Sequence, residues 1–335
     1  MIFIILSSIF ILSLLMTWGL RKYAIIRSVL DVPNDRSSHS VPTPRGGGMA
    51  IVAAFLLALI VSIFLNLIQL QVFLAMFGAG IVVATIGFFD DHAHIHARWR
   101  LAGHFLAAIW ALYWLGGVSL LTGFGLTIEL GVVGNLLAIF YLVWMLNLYN
   151  FMDGIDGIAS VEAICVCTLA AFIYWLSGYE GLMLPPLFLS AAVLGFFCWN
   201  FPRALIFMGD AGSGFLGVTI GILSLAAAIC EPNLLWVWLV LVGVFIVDAT
   251  YTLFRRLVRH EKIYEAHRSH GYQFAARQLC SHIPVTIGVA VINIFWLGPI
   301  ALAVALGALD GVIGVFIAYA PLLLLAAKFK AGAQE

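Results

Sequence analysis

Charge is what this chain has least of. Only 10% of its 335 residues are Asp, Glu, Lys or Arg, while 64% are hydrophobic, and average usage in soluble domains is about 25% charged. That scarcity excludes an ordinary solvated domain. A formal net charge of zero gives no basic surface for nucleic acid, so no nucleic-acid partner is implied. Cysteine is also scarce: Cys165, Cys167, Cys198, Cys230 and Cys280 lie mostly inside apolar runs and show neither metal-ligand spacing nor a disulfide framework. They are read as small core hydrophobes. No fixed-period repeat, low-complexity tract or soluble appendage is evident, so residues 1–335 are read as a single integral-membrane domain.

What is present is a succession of apolar runs of the length a helix needs to cross a bilayer, about 20 residues. They fall near 2–20, 48–66, 70–89, 101–118, 132–149, 158–177, 185–201, 213–231, 234–254, 284–304 and 311–327. This predicts an all-α polytopic membrane protein with about eleven transmembrane helices. The first run lacks a basic leader and a small-residue cleavage site, so a retained helix is expected rather than a signal peptide. Between Ser119 and Gly131, apolar and small residues alternate among glycines, which predicts a small external hairpin.

Positive charge is missing from every second connection. The odd connections hold Arg21, Lys22, Arg27, Arg36 and Arg45, then Arg98 and Arg100, then Arg203, then Arg255 through Arg277. Lys328 and Lys330 follow the last run, and the even connections hold no Lys or Arg. Because this bias sets orientation, the odd loops and the C-terminus are expected in the cytoplasm and the N-terminus outside. Such cationic loops suit anionic lipid headgroups or phosphate-bearing substrates.

Nearly every group capable of chemistry falls on that same face. The third run ends in Asp90-Asp91-His92. A carboxylate at the bilayer centre costs about 2.5–3.5 kcal/mol on insertion scales, so the pair belongs at the interface or beyond it. Adjacent carboxylates repel, which a divalent cation or a shared proton relieves; a solvated loop start is the plainer alternative. The fifth run leads into Asn147, Asn150, Asp153 and Asp156, polar side chains at every third position, with Gly154 and Gly157 between and after the two acids. Neighbours at that spacing stay within reach of one another, and the glycines predict that the helix opens and lets backbone approach a ligand. Asp210, within Phe207-Met208-Gly209-Asp210-Ala211-Gly212-Ser213, stands where the next helix begins, either as its cap or beside an anion held by the same N–H groups. Oxygen donors without a thiol cluster point to Mg²⁺ or Mn²⁺ rather than zinc. Five carboxylates exceed the needs of one cation, so some are expected to accept protons or to hold sugar hydroxyls or cations.

The last long loop holds Arg255, Arg256 and Arg259, which serve as positive-inside anchors, and then His267-Arg268-Ser269-His270-Gly271-Tyr272-Gln273. Arginine forks recognise phosphate oxygens, and histidines can donate to a diphosphate or stack on a base. His92, His94 and His96 alternate in the manner of a metal-binding tract but are read as surface residues, and His39 and His282 as solvated. Asp248 lies about 10 Å along a helix from Arg255. It either pairs with a basic side chain below it or reaches into the acidic cluster. The glycines after Arg45, opening the second run, either face phosphate or let helices pack closely.

Asp90-Asp91, the Asn147 to Gly157 run, Phe207 to Ser213 and the His267 to His270 loop occur in this order, and together they resemble the polyprenyl-phosphate N-acetylhexosamine-1-phosphate transferases, glycosyltransferase family 4 in the broad sense. The resemblance covers almost the whole chain, including Asp31 to Gly48 and Asp248 to Arg256. It implies transfer of a sugar-1-phosphate from a UDP-N-acetylhexosamine to undecaprenyl phosphate, with Mg²⁺ or Mn²⁺ and release of UMP, in a bacterial inner membrane. Asp210 is then the expected principal metal ligand, and Asp90 and Asp91 the catalytic pair serving the metal and the lipid phosphate. Asn147, Asn150, Asp153 and Asp156 fall on the nucleotide-sugar side, Arg45 among the substrate-binding residues, and the loop of His267, Arg268 and His270 caps the site. The looser histidine spacing resembles the branch that starts O-antigen or other surface polysaccharides, often with a 6-deoxy sugar, rather than the peptidoglycan enzymes. Membrane lipids are further partners, and the oligomeric state, a homodimer included, stays open.

Two other classes compete. An ion-coupled membrane transporter with a carboxylate-lined site would place its acids near the midplane on broken helices, whereas these cluster at helix ends. An intramembrane aspartyl protease would want glycine where Phe207 stands.

Overall fold

The computed structural model describes residues 2–33, 41–93, 95–261 and 268–334. Each of the eleven apolar runs is helical. In chain order the helices are α1 (Ile2–Ile26), α2 (Gly48–Phe64), α3 (Leu70–Ala93), α4 (Ala97–Leu115), α5 (Gly131–Met152), α6 (Ile158–Ser177), α7 (Leu184–Asn200), α8 (Asp210–Cys230), α9 (Asn233–Leu241), α10 (Gly243–Val258), α11 (Gly271–Gln278), α12 (Ile283–Ile292), α13 (Gly298–Ala305) and α14 (Gly311–Lys328). A π-helical turn, Asn293–Leu297, joins α12 to α13. A 3₁₀ turn, Glu180–Leu182, precedes α7, and there are two short antiparallel pairs: β1 (Leu30–Asp31) with β2 (Thr43–Pro44), and β3 (Leu120–Gly123) with β4 (Leu126–Glu129). The second pair is the hairpin expected between Ser119 and Gly131.

The expected count of eleven spans is not reached on length and apolarity. Eight helical segments of the described residues are long and apolar enough to cross a membrane, or nine if α9 and α10 are counted as one broken span. The shortfall has physical causes. α2 has 17 residues, about 25 Å at 1.5 Å per residue, against an apolar core about 30 Å thick. α4 carries Arg98, Arg100 and His104 in its first two turns. The ninth run does not continue straight: α9 and α10 meet at Val242 with a bend of 73°. The outer surfaces are apolar, with Phe64, Val132 and Phe295 each three-quarters exposed. Contiguous apolar surface of that kind is suited to lipid and not to water. The chain is a multi-pass membrane protein.

α8 is the axis of the bundle and its most buried span. Helices α2, α3 and α5 pack around it, α4 packs outside α3, and α1 with α7 covers α2. Close approach depends on small residues. A Cβ on Gly48 would fall 2.4 Å from the Cα of Gly212, and one on Gly87 would fall 2.4 Å from the nitrogen of Ala211. The start of α2 and the end of α3 thereby close on the start of α8. The N-terminal loop joins them through backbone hydrogen bonds: Phe207 donates to the Pro44 carbonyl (2.8 Å), and Gly47 and Gly48 donate to the carbonyls of Phe207 and Met208 (2.9 Å each).

Candidate active site

The site is organised by the first turn of α8. Helix starts leave N–H groups without partners, and here a carboxylate from a different helix supplies one. Asp91, near the end of α3, accepts from the Asp210 nitrogen through Oδ1 (3.0 Å) and from the Ala211 nitrogen through Oδ2 (3.4 Å). Gly209 makes room for it: its φ of +79° and ψ of 171° lie in a region open in practice only to glycine. A Cβ there would stand 2.6 Å from Asp91 Oδ2.

With its backbone held this way, Asp210 projects its side chain between two arginines. Arg45 Nη2 lies 2.9 Å from Asp91 Oδ1 and 2.8 Å from Asp210 Oδ1. Arg100, from the first turn of α4, bonds Asp90 Oδ2 and lies 3.7 Å from Asp210 Oδ2. The other Asp90 oxygen accepts from the Ile95 nitrogen at 2.8 Å. Burial opposes the charge of Arg45, but Asp210 and Asp91 outweigh it and hold the guanidinium above its ordinary pKa. Three carboxylates and two guanidiniums thus form one network at the joined ends of α3, α4 and α8.

The polar run of the fifth apolar stretch divides in two. Asn147 and Asn150 lie on the last turns of α5; α5 ends at Met152, and Gly157, at φ +76°, starts α6. The expected opening of the helix is therefore present. Asn150 donates to Ser213 Oγ on α8 at 3.2 Å, and Asn147 turns back to the Val143 carbonyl at 2.7 Å. Both share a narrow cavity with Asp90, Arg100, His104 and Asp210. Asp153 follows at the end of α5. Burial pushes its carboxyl up to about 7, the charge of Asp210 adding to the shift and Arg45 opposing it. Asp156 faces elsewhere: its Oδ2 lies 3.2 Å from His282 Nδ1, and its carbonyl accepts from Thr286 at 2.8 Å. His282, expected to be solvated, is instead an anchor of this turn. Its position at the start of α12, facing the break after α5, is what the sequence could not display.

The histidine loop is held by the bent helix. Asp248 on α10 accepts from the Gly271 nitrogen through Oδ1 (2.9 Å) and from the Tyr272 nitrogen through Oδ2 (2.8 Å), while His270 Nδ1 lies 3.3 Å from Oδ1. Of the two sequence readings of Asp248, pairing with a basic side chain is met, with His270 as the partner, and joining the acidic cluster is not; Asp248 also caps α11. Tyr272 then donates its hydroxyl to the Phe151 carbonyl at 3.0 Å, tying α11 to the end of α5. Further support comes from the C-terminal segment, where Gly332 donates to the Ser269 carbonyl at 2.6 Å and Arg255 donates to the Ala331 carbonyl at 2.7 Å. Arg268 opens this described stretch, and its carbonyl accepts from Arg277 at 3.1 Å. His267, His94 and His39 lie outside the described residues.

Three residues of the site were missed in the sequence. Arg100 was read as a positive-inside marker and His104 as part of a membrane run, yet both line the cavity at Asp210. Their i, i+4 spacing, which puts both on one face of a helix, was the available signal. Asn200 had none. Its Oδ1 accepts from the Gly157 nitrogen (2.9 Å) and its Nδ2 donates to the Ile206 carbonyl (3.0 Å), so it knits two motifs together from the end of α7.

As for a metal, no group of three or more His, Cys, Asp or Glu among the described residues forms a ready cage. The donors facing the cavity are oxygens of Asp210, Asp90, Asn147 and Asn150 together with the imidazole of His104, with no sulfur. Mg²⁺ typically takes one or two carboxylates and completes its shell with water and phosphate oxygens, which this set fits. Both oxygens of Asp91 already serve α8 and one also serves Arg45, while those of Asp90 serve the Ile95 nitrogen and Arg100.

A cluster of acids balanced by arginines, at the joined ends of apolar helices, defines a membrane protein with paired charges able to meet anionic groups. Known proteins agree. Residues 73–228, which run from α3 through α8, match glycosyl transferase family 4, and the chain carries a domain of that family. It is 29% identical over 273 residues to the probable undecaprenyl-phosphate N-acetylglucosaminyl 1-phosphate transferase of Bacillus subtilis (strain 168), covering 77% of this chain and 72% of that protein. It is 32% identical over 236 residues to the decaprenyl-phosphate N-acetylglucosaminephosphotransferase of Mycolicibacterium smegmatis, covering 63% and 56%. A phospho-N-acetylmuramoyl-pentapeptide-transferase of Streptococcus pneumoniae (strain Hungary19A-6) is 29% identical over 205 residues, covering 58% and 62%. The chain thus spans less than two thirds of the length of the latter two.

Proposed function

We propose that this protein transfers an N-acetylhexosamine-1-phosphate from a UDP-sugar to undecaprenyl phosphate on the cytoplasmic face of the bacterial inner membrane and releases UMP. We read the step as the first in assembling O-antigen or another surface polysaccharide, with 6-deoxy N-acetyl sugars among the candidate donors. The observation that carries this reading is the placement of Asp210 between Arg45 and Arg100 at the first turn of α8. Its support is the family match together with the printed activities of the relatives. The one-sided Lys and Arg distribution supports a cytoplasmic site, an external N-terminus and a cytoplasmic C-terminus.

Phosphoryl transfer needs positioning and charge neutralisation more than covalent help. Arg45 and Arg100 are the cations available to phosphate oxygens, and each can exchange a carboxylate partner for a phosphate. Asp210 is the principal ligand for Mg²⁺ or Mn²⁺, with Asp90 beside it. A divalent ion bound there would draw negative charge from the diphosphate. Asp91 acts through α8, fixing where Asp210 stands, which leaves Asp90 as the member of the pair to accept a proton from the lipid phosphate. Asn147, Asn150 and Asp153 face the nucleotide sugar, and Asp156 sets the turn behind them. His270 and Arg268 are assigned to closing the site from the last loop.

The test is purified protein with short polyprenyl phosphate, Mg²⁺ and a panel of UDP-sugars. Lipid-linked sugar diphosphate and UMP are expected with at least one donor, and Asp210→Asn is expected to abolish both. Near-normal turnover in that variant would remove Asp210 from the metal site. Exchange of labelled UMP into UDP-sugar without lipid acceptor would indicate a covalent two-step route in place of direct attack.

A further inference from the structure

Glu162 lies early in α6, has no exposed surface, and plays no part in the chemistry above. It meets Asn293, equally buried, at the first residue of the π-helical turn. Asn293 Nδ2 donates to Glu162 Oε2 at 2.6 Å. The remaining oxygen of each group, Glu162 Oε1 and Asn293 Oδ1, has no hydrogen-bond partner. Two acceptors left over on one pair cannot bond each other without a proton between them. A protonated carboxyl carries that donor, and an ionised one carries none.

Among the described residues, no cation pairs with an ionised form. The titratable groups acting on or from this site are Tyr149 of α5, Cys165 of α6 itself and Tyr319 of α14, none of them a cation. Tyr319 gives its hydroxyl to the Leu239 carbonyl at 2.8 Å, and the Tyr149 hydroxyl makes no hydrogen bond. The backbone of Phe245, at the start of α10, is the remaining polar neighbour. An uncompensated charge in such a place is removed by taking up a proton.

We propose that Glu162 is a neutral carboxylic acid in the folded protein, joined to the Asn293 amide at two points, Nδ2–H to Oε2 and Oε1–H to Oδ1. The pair is the inner of two fastenings between α6 and the α12–α13 rod; the outer one is Asp156 with His282 and Thr286. Glu162 is thus a positioning residue for the turn after α5, and the inference holds whatever reaction the protein performs.

Infrared difference spectroscopy of the full chain in lipid nanodiscs, wild type against Glu162→Gln at neutral pH, reads this directly. The wild type is expected to show one protonated-carboxyl C=O band that shifts in D₂O and is missing from the variant. Glutamine can reproduce both bonds, its NH₂ donating to Oδ1 and its oxygen accepting from Nδ2. Glu162→Gln should therefore melt with the wild type, and Glu162→Ala should melt well below it. No band lost on Glu162→Gln, or a melting temperature lowered in that variant, overturns the proposal. The Gln variant carries the test even where the Ala variant fails to accumulate.

Discussion

Helices α8 and α11 are begun by the same device and differ in what it serves. In each, a carboxylate from a distant helix forks onto the N–H groups of the first two residues: Asp91 onto Asp210 and Ala211, Asp248 onto Gly271 and Tyr272. Negative charge at a helix N-terminus is favourable in both cases. The companions diverge. Asp91 shares its Oδ1 with Arg45, which is partly open to solvent, and Asp248 shares its Oδ1 with His270, which is buried. The first residues diverge more. α8 begins with Asp210, whose side chain is left free to face the arginines, and α11 begins with a glycine that offers nothing but a backbone. Capping a helix can therefore present a reactive group or merely seat a loop, and the residue at the first position decides which.

Removing each cap separates the two roles. Asp91→Ala should displace Asp210 and release Arg45, lowering turnover by about 10²-fold or more, the scale on which an ångström of misplacement acts. Formation of lipid-linked sugar diphosphate measures it. Asp248→Ala should act first on folding. It strands two N–H groups at about 1–3 kcal/mol for each buried group left unpaired, seen as a lower melting temperature and as faster hydrogen exchange in 268–278. Its turnover should fall less than that of Asp91→Ala. Equal losses of turnover in the two variants would erase the distinction.

The sequence made the acidic face legible because carboxylates are conspicuous in apolar runs: Asp90, Asp91 and Asp210 do converge, and the helix does open after Met152. It was legible too that all eleven runs would be helical. What it hid were partnerships across the bundle. Nothing in the spacing of Asp248 could reveal α11, because a bend of 73° at Val242 redirects the side chain. His282 looked solvated because its partner, Asp156, is 126 residues away. Asn200 and Glu162 passed unnoticed for the same reason. A lone polar residue in or beside an apolar run has a meaning only once its neighbour is known.

A milder comparison uses the glycines at the two helix starts. Gly209→Ala introduces a Cβ 2.6 Å from Asp91 Oδ2 on a backbone with φ of +79°, a strain of about 1–3 kcal/mol before any clash is counted. In Gly271→Ala the new Cβ meets Asp248 Oδ2 at 3.1 Å, in a helical residue with no such φ. Thermal melts should show Gly209→Ala well below Gly271→Ala. Reversal of that order would mean that the cap on α8 tolerates displacement and the cap on α11 does not.

The smallest effect expected is that of Asp153, an acid at the end of α5 that caps no helix start. Burial pushes its carboxyl up to about 7, above the ordinary value of about 3.9. The folded protein keeps this proton at pH values where the unfolded chain has already released it. Where the folded state binds more protons, stability falls as pH rises, so the contribution of Asp153 declines from about pH 4 to about pH 7 and is flat beyond. Asp153 is only half-buried, and solvent screening keeps the slope shallow. In metal-free protein, Asp153→Asn should remove this slope and should melt above the wild type near pH 8. The same slope in both proteins would assign the pH dependence to another group.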